Sequence, residues 1–222
     1  MSVLSRILEP EVMDSAEDAL DYDTMDHRQV NEAFVTDFLA VCPDPAGRVL
    51  DVGTGTARIP IELCQRHAAL HVLAVDAAAH MLVLANRNIT AAGLSRRIET
   101  LLGDARHLPF PDGAFAAVIS NSIIHHIPDP LPVLAEMVRL TAPGGWLFLR
   151  DLLRPRDEAM LHALVEQHAA GANPHQKQLF ADSLRAALSL DELRLLVLQL
   201  GFDPLGVRQT SDRHWTWAVC KS

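Results

Sequence analysis

What most constrains this 222-residue chain is a rhythm that begins at Arg48. Short, almost wholly apolar runs alternate with helical stretches, and the first run, Val49-Leu50-Asp51-Val52, passes directly into Gly53-Thr54-Gly55. The run Val72–Val75 ends at Asp76 and is followed by a helical pattern over 78–92 that stops at Gly93. Ile98–Leu102 leads into Gly103-Asp104-Ala105, and Phe115–Ser120 into Asn121-Ser122. Trp146–Arg150 comes after a helix over 131–140 and the breaker Ala142-Pro143-Gly144-Gly145. Strands buried on both faces read as continuous apolar runs, and parallel strands need helical crossovers, so the pattern predicts an α/β fold with a parallel sheet covered on both faces. The chain ends differently. Residues 205–208 and His214–Cys220 have no helix between them, which predicts an antiparallel hairpin at one edge.

The flanking segments are helical. Val30, Phe34, Val35, Phe38 and Leu39 form one stripe, preceded by a polar segment over 21–27, and Cys42–Gly47 is a breaker cluster. This divides the chain into an N-terminal helical segment, 1–47, and a main domain, 48–222. Within the main domain, helices are expected over 158–170, 178–188 and 190–200, a helical insertion at about 155–200. Ser189 and Glu192 have the spacing of a capping box at the start of the last helix.

Charge and composition exclude several functions. The net charge of −9 argues against a protein that neutralises nucleic-acid phosphates. The only lysines, Lys177 and Lys221, do not follow glycine, so there is no phosphate-binding GK[ST] loop, and Schiff-base chemistry is not expected. Eleven histidines against one tyrosine, Tyr22, favour His or a carboxylate for acid–base work near neutral pH. Cys42, Cys64 and Cys220 are widely spaced, form no CxxC pair and imply no metal. No apolar run reaches the length of a leader or of a membrane span, so a cytoplasmic protein with reduced thiols is expected. Oligomeric state is left open.

Ligands of open parallel sheets bind beyond the carboxyl ends of the strands, where strand order reverses. Gly53 and Gly55 let the backbone turn tightly there and approach a ligand. Asp76, 21 residues beyond Gly55, stands at the interval of a carboxylate that accepts from ribose hydroxyls. Arg58 occupies the place of the third glycine of a dinucleotide fingerprint, and Asp51 would repel a pyrophosphate while attracting a cation. Asp104 can reach an adenine amino group. A nicotinamide oxidoreductase is disfavoured on these grounds.

Val49–Gly55, Asp76, Gly103-Asp104-Ala105 and Pro143-Gly144-Gly145 together resemble the ordered motifs of class I S-adenosylmethionine-dependent methyltransferases, over about 48–154. Asn121-Ser-Ile-Ile-His125-His126-Ile-Pro is similar to the ubiquinone/menaquinone-type small-molecule branch. The resemblance implies a Rossmann-like, seven-stranded, mostly parallel sheet whose last two strands form the antiparallel hairpin. It implies S-adenosylmethionine as cofactor, with Asp51, Gly53, Thr54 and Gly55 near its methionine portion. Asp76 and Ala77 would lie at the ribose, Asp104 and Ala105 at the adenine, and Asn121 beside the cofactor. Met81 either packs on the adenine or belongs to the core. In related enzymes an N-terminal helix folds over the cofactor, which would bring Tyr22, Met25 and His27 near the methyl group.

Methyl transfer from a sulfonium is an in-line displacement, in which positioning supplies much of the acceleration and a poor nucleophile must also lose a proton. His125 and His126 are the candidate bases, with a structural role as the alternative. Asp151 and Arg154 either face the acceptor or are solvated loop charges. In the last strand, Trp215 and Trp217 share one face and are expected in the core, while His214 and Thr216 share the other, facing solvent or the acceptor. His27, Asp151 and His214 are the named acceptor-pocket candidates. The expected partner is a small-molecule acceptor; the competing function is a non-catalytic S-adenosylmethionine-binding sensor or assembly subunit.

Overall fold

Seven strands form one sheet in the computed structural model, which describes residues 4–9, 16–24, 28–43, 45 and 47–222. They are β1 (Arg48–Val52), β2 (His71–Asp76), β3 (Ile98–Leu102), β4 (Phe115–Asn121), β5 (Thr141–Leu152), β6 (Val207–Gln209) and β7 (His214–Cys220), in the order β3-β2-β1-β4-β5-β7-β6. β1 runs parallel to β2 and to β4, and β2 parallel to β3, whereas β6 and β7 are antiparallel, with Val207 opposite Trp217. The expected sheet and edge hairpin are both present. The helices are α1 (Ala16–Thr24), α2 (Arg28–Val41), α3 (Arg58–Arg66), α4 (Ala79–Ala91), α5 (Leu131–Leu140), α6 (Glu158–His168), α7 (Pro174–Ala186) and α8 (Leu190–Gln199). No helix among the described residues is long and apolar enough to cross a membrane.

The chain forms two compact units. One comprises Met13–Asn121, Pro132–Leu149 and Ala218–Ser222; the other comprises Met1–Val12, Ser122–Leu131 and Arg150–Trp217. In the first, the stripe of α2 does what its spacing predicts. Phe34 and Phe38 are fully buried and meet Phe148 edge-on, with ring centroids 5.1 and 5.7 Å apart, in a core shared with Val49, Leu63 and Ile119. Burying each such side chain contributes about 1.5–3 kcal/mol, so α2 is part of the core of this unit. The second unit has its own core of Leu4, Leu152, Leu161, Leu164, Leu184 and Ala187.

Three expectations about elements are corrected. The breaker Ala142-Pro143-Gly144-Gly145 does not end a helix before a short strand; it lies inside the twelve-residue β5. Backbone bonds with the chain end carry the strand through it: Gly144 N–H donates to Lys221 O (2.6 Å) and Lys221 N–H to Gly145 O (2.8 Å). A Cβ on Gly145 would stand 2.7 Å from Ala116 O, which explains the glycine. Next, α7 begins at Pro174 and not 178, because Asn173 and Gln176 make a full capping box around a proline at the first turn. Finally, β6 begins at Val207, as Pro204–Gly206 form a 3-10 turn capped by Asp203. The expected capping box of α8, between Ser189 and Glu192, is present.

Candidate cofactor site

β1 lies between β2 and β4, so strand order reverses about β1, and the ends of β1 and β4 meet where a ligand binds in such a sheet. The turn after β1 is built from backbone conformations that side chains disfavour. Gly53 and Gly55 have φ of 75° and 54°, and Ala57, which caps α3, is also left-handed at 61°. The turn is tied to β2 by Gly53 N–H and Thr54 N–H, which both donate to Val75 O (2.8 and 2.9 Å). Asp76 fixes it further: its Oδ2 accepts from Gly55 N–H (2.7 Å) and its Oδ1 from Ala78 N–H (2.9 Å). The interval of 21 residues therefore has a physical meaning independent of any ligand, since Asp76 shapes the glycine turn itself.

Asp51 is almost wholly buried at the end of β1, and its Oδ2 has no hydrogen-bond partner. Burial, with the charge of Asp76 adding to it, pushes its carboxyl up to about 7. Asn121, at the end of β4, also has a buried side-chain oxygen without a partner. Both residues, with Gly53 and Thr54, line a cleft of about 640 Å³. Buried polar atoms are normally bonded, and these two are acceptors pointing to a missing donor or cation. The hydroxyls of Thr54 and Thr56 in the same cleft are likewise buried without a close hydrogen-bond partner, so the floor beside Asp51 and Asn121 is lined by polar atoms that suit a cationic, hydrogen-bonding group.

The same cleft holds an arrangement that motif reading missed. Asp23 of α1 accepts from Arg58 (Nη2, 2.9 Å; Nε, 3.2 Å) and from Asn88 of α4 (3.0 Å), and against partial burial the Thr56 hydroxyl, Asn88 and Arg58 together lower its carboxyl. Arg58, which marked the absence of a third glycine, joins α3 to α1. Asp23 lies 35 residues before Arg58 in a polar segment, so no local spacing could have paired them.

The other cofactor candidates are placed as follows. Asp104 is exposed and takes a forked bond from Arg106 (Nε to Oδ2, 2.9 Å; Nη2 to Oδ2, 2.5 Å) that lowers its carboxyl, so it is not a free carboxylate. Ala105 follows it, half-buried, and Ala77 is exposed. Met81 is buried against Ala19 and Ala78, the core alternative. Tyr22 lies in α1 with its side chain outside the described residues, and His27 lies outside them altogether.

The second unit brings the histidine candidates together. Asp151 is buried and accepts from Ile124 N–H (2.5 Å), Leu152 N–H (2.6 Å) and the Nδ1 of His125 (2.5 Å), also buried. Against the opposing effect of burial, this pairing raises the imidazole of His125 and lowers the carboxyl of Asp151. Asp151 is thus no solvated loop charge. His126 stacks on His125 at 4.0 Å between centroids and pairs through Nδ1 with Glu9 (2.6 Å), a residue that sequence reasoning did not single out. Arg154 donates to Ala187 O (3.1 Å) and pairs with Glu192 (2.6 Å).

Of the two alternatives for the far face of β7, solvent or the acceptor, solvent is not what the structure shows. Trp215 and Trp217 are fully buried as expected, yet His214 and Thr216 are buried too. Thr216 accepts from Arg150 Nε (2.9 Å), and His214 Nδ1 bonds to Ser211 (2.8 Å). Burial and the charge of Arg213 push the His214 imidazole down to about 4, so it is neutral at physiological pH.

Fold and glycine turn define an α/β protein with a polar cleft at its topological switch point. A methyltransferase-domain family model matches residues 50–149. The chain is 32% identical over 182 residues to a demethylmenaquinone methyltransferase of Renibacterium salmoninarum, covering 76% of this chain and 72% of that one. A demethylmenaquinone methyltransferase of Mycolicibacterium gilvum is 35% identical over 151 residues, covering 64% of this chain and 62% of its own length. Among solved structures, an Aquifex aeolicus S-adenosylmethionine-dependent methyltransferase matches with TM-score 0.64 at 18% identity over 92% of this chain and 97% of that one. The [4+2]-cyclase SpnF shares the fold at TM-score 0.61 and 15% identity, over 99% of this chain and 88% of its own. The chain belongs to the class I S-adenosylmethionine-dependent methyltransferases, in the quinone-type branch, and S-adenosylmethionine is its cofactor.

Proposed function

We propose that the protein transfers the methyl group of S-adenosylmethionine to a small-molecule acceptor by in-line displacement. The sulfur–methyl bond breaks as the acceptor's lone pair forms the new bond, and S-adenosylhomocysteine leaves with a neutral sulfur. The single observation that carries this reading is the buried, partnerless Asp51 oxygen beside the Gly53–Gly55 turn. The fold by itself does not carry it, since a [4+2]-cyclase shares that fold.

In this reading Asp51, Gly53, Thr54, Gly55 and Asn121 hold the methionine portion, where Asp51 meets the cation. Asp76 and Ala77 meet the ribose. Asp104 and Ala105 meet the adenine, whose amino group competes with Arg106 for the carboxylate; Met81 backs this end from the core. Tyr22 and His27, in the N-terminal segment, close over the cofactor. On the acceptor side stand His126, one third exposed, and His125 behind it, as the groups able to take a proton, with Asp151 orienting His125. Buried His214 lends shape to that side, not charge. The relatives named for demethylmenaquinone make a quinone-type acceptor the first to try, and a cytoplasmic setting suits the free thiols of Cys42, Cys64 and Cys220.

Calorimetric titration with S-adenosylmethionine, S-adenosylhomocysteine and NAD tests the cofactor half. The methylated cofactor should bind well ahead of NAD, and Asp76→Ala should weaken it by about 1–3 kcal/mol through lost charged hydrogen bonds. Tighter binding of NAD would sink the reading; unchanged affinity in Asp76→Ala would remove the ribose contact.

A further inference from the structure

Glu9, His125 and His126 come from two distant parts of the sequence, yet each presents a ligand atom and these atoms lie within 4.8 Å of one another. We propose that this cluster binds one divalent transition-metal ion of the zinc type, held by a nitrogen from each ring and an oxygen of Glu9. The inference concerns what the cluster holds and does not depend on methyl transfer.

Three independent features support it. First, the Nδ1 of His125 faces the carboxylate of Asp151 at 2.5 Å, and that carboxylate is itself fixed by backbone N–H groups of Ile124 and Leu152. A carboxylate accepting from one ring nitrogen sets the tautomer and leaves the other nitrogen with its lone pair, which is the usual support of a metal-ligating histidine. Second, Glu9 Oε1 is buried with no close hydrogen-bond partner, although the carboxylate is approached by Ser183 and its Oε2 is within 2.6 Å of the His126 Nδ1. An orphaned carboxylate oxygen is costly unless something positive meets it. Third, the cluster is held in place before any ion arrives. Arg6 donates to the carbonyls of Ile127 (2.9 Å) and Pro128 (3.2 Å) in the histidine turn and to Ala186 O (2.7 Å), while Ile7 N–H bonds to Arg185 O (3.2 Å). The segment 4–9 that carries Glu9 is thereby fastened to the turn that carries both histidines.

Donor chemistry selects the ion. Two imidazoles and one carboxylate suit zinc, nickel or copper and not calcium or magnesium, which prefer oxygen throughout. Three protein ligands leave a further position, and His126 is partly exposed, so the site is reachable from solvent. The Arg6 guanidinium opposes a cation here, but the charges of Glu9 and Asp151 outnumber it and its donors are spent on carbonyls. When an ion is bound, the ring nitrogens that hold it cannot take a proton, so metal loading silences the general-base role given to His125 and His126 above.

Zn²⁺ alone, titrated calorimetrically into chelator-treated full-length protein, tests the inference. Binding at one ion per chain with Kd near micromolar or tighter is expected, weakened at least about tenfold in Glu9→Gln and in His126→Gln. Co²⁺ should give visible d–d bands in the parent protein and lose them in both variants, whose thermal unfolding without metal should match the parent. Binding no tighter than millimolar, or binding unchanged in the two variants, would overturn the proposal.

Discussion

Asp51 shows how a single carboxylate can be readable in sequence while its meaning needs the structure. Its position two residues before Gly53 marks it as a residue for a cation; only the packing reveals that it is buried and unpartnered, and hence pushed up to about 7. A cation binding beside it stabilises the ionised form, so cofactor binding at pH 6 should release a proton that binding at pH 8.5 does not. Calorimetry in buffers of different ionisation enthalpy reads this directly, and Asp51→Asn should abolish the difference. His214 takes up its proton at lower pH than a surface imidazole, because burial disfavours the charged form. Its folded-state value, about 4, lies below the unfolded 6.5, so the stability it contributes is present above 6.5 and lost as pH falls towards 4, up to about 3 kcal/mol. Urea unfolding between pH 8 and 4 should show a shallower loss in His214→Asn than in the parent. That His214 is buried was not legible: alternation along β7 separates it from Trp215 and Trp217, but says nothing of what lies over the second face.

Most elements set by a local cause were legible, although the Asn173 capping box of α7 and the Asp203-capped turn before β6 went unread. The strand ends at Asp76, Gly103 and Asn121, the helix of 131–140 and the Ser189 cap each follow from short-range pattern and appear as expected. The misjudged strand β5 has a long-range cause. Pro143-Gly144-Gly145 reads as a breaker, yet the strand persists because Lys221, 76 and more residues on, bonds to both glycines, and its Nζ takes the carbonyls of Val138 and Thr141 (both 2.7 Å) at the end of α5. Gly145→Ala should therefore destabilise by about 1–3 kcal/mol in chemical unfolding, because the new Cβ would meet Ala116 O and Ala142 O at 2.7 and 2.9 Å. Glu9 and Asp23 belong to the same class of surprise. Each acts across the fold, on His126 and on Arg58, at separations no motif encodes.

At the scale of the whole molecule, a −9 chain that binds a cationic cofactor turns part of its acidity inward: Asp51, buried, and Asp76, half-buried and spent on backbone N–H groups, shape one end of a parallel sheet. Fold class and cofactor end were legible because the motifs lie at consecutive strand ends, in order. The cluster of Glu9, His125, His126 and Asp151 was not, since its residues come from three separate segments, 4–9, 122–131 and 150–217, which no single stretch of sequence unites. The most direct test of the central claim is turnover with S-adenosylmethionine labelled in its methyl group, supplied with quinone-type acceptors and a metabolite extract. The account predicts one labelled small molecule formed in step with S-adenosylhomocysteine, and loss of both in Asp51→Asn. Cofactor that binds but never yields labelled product, or label that appears in nucleic acid, would contradict it.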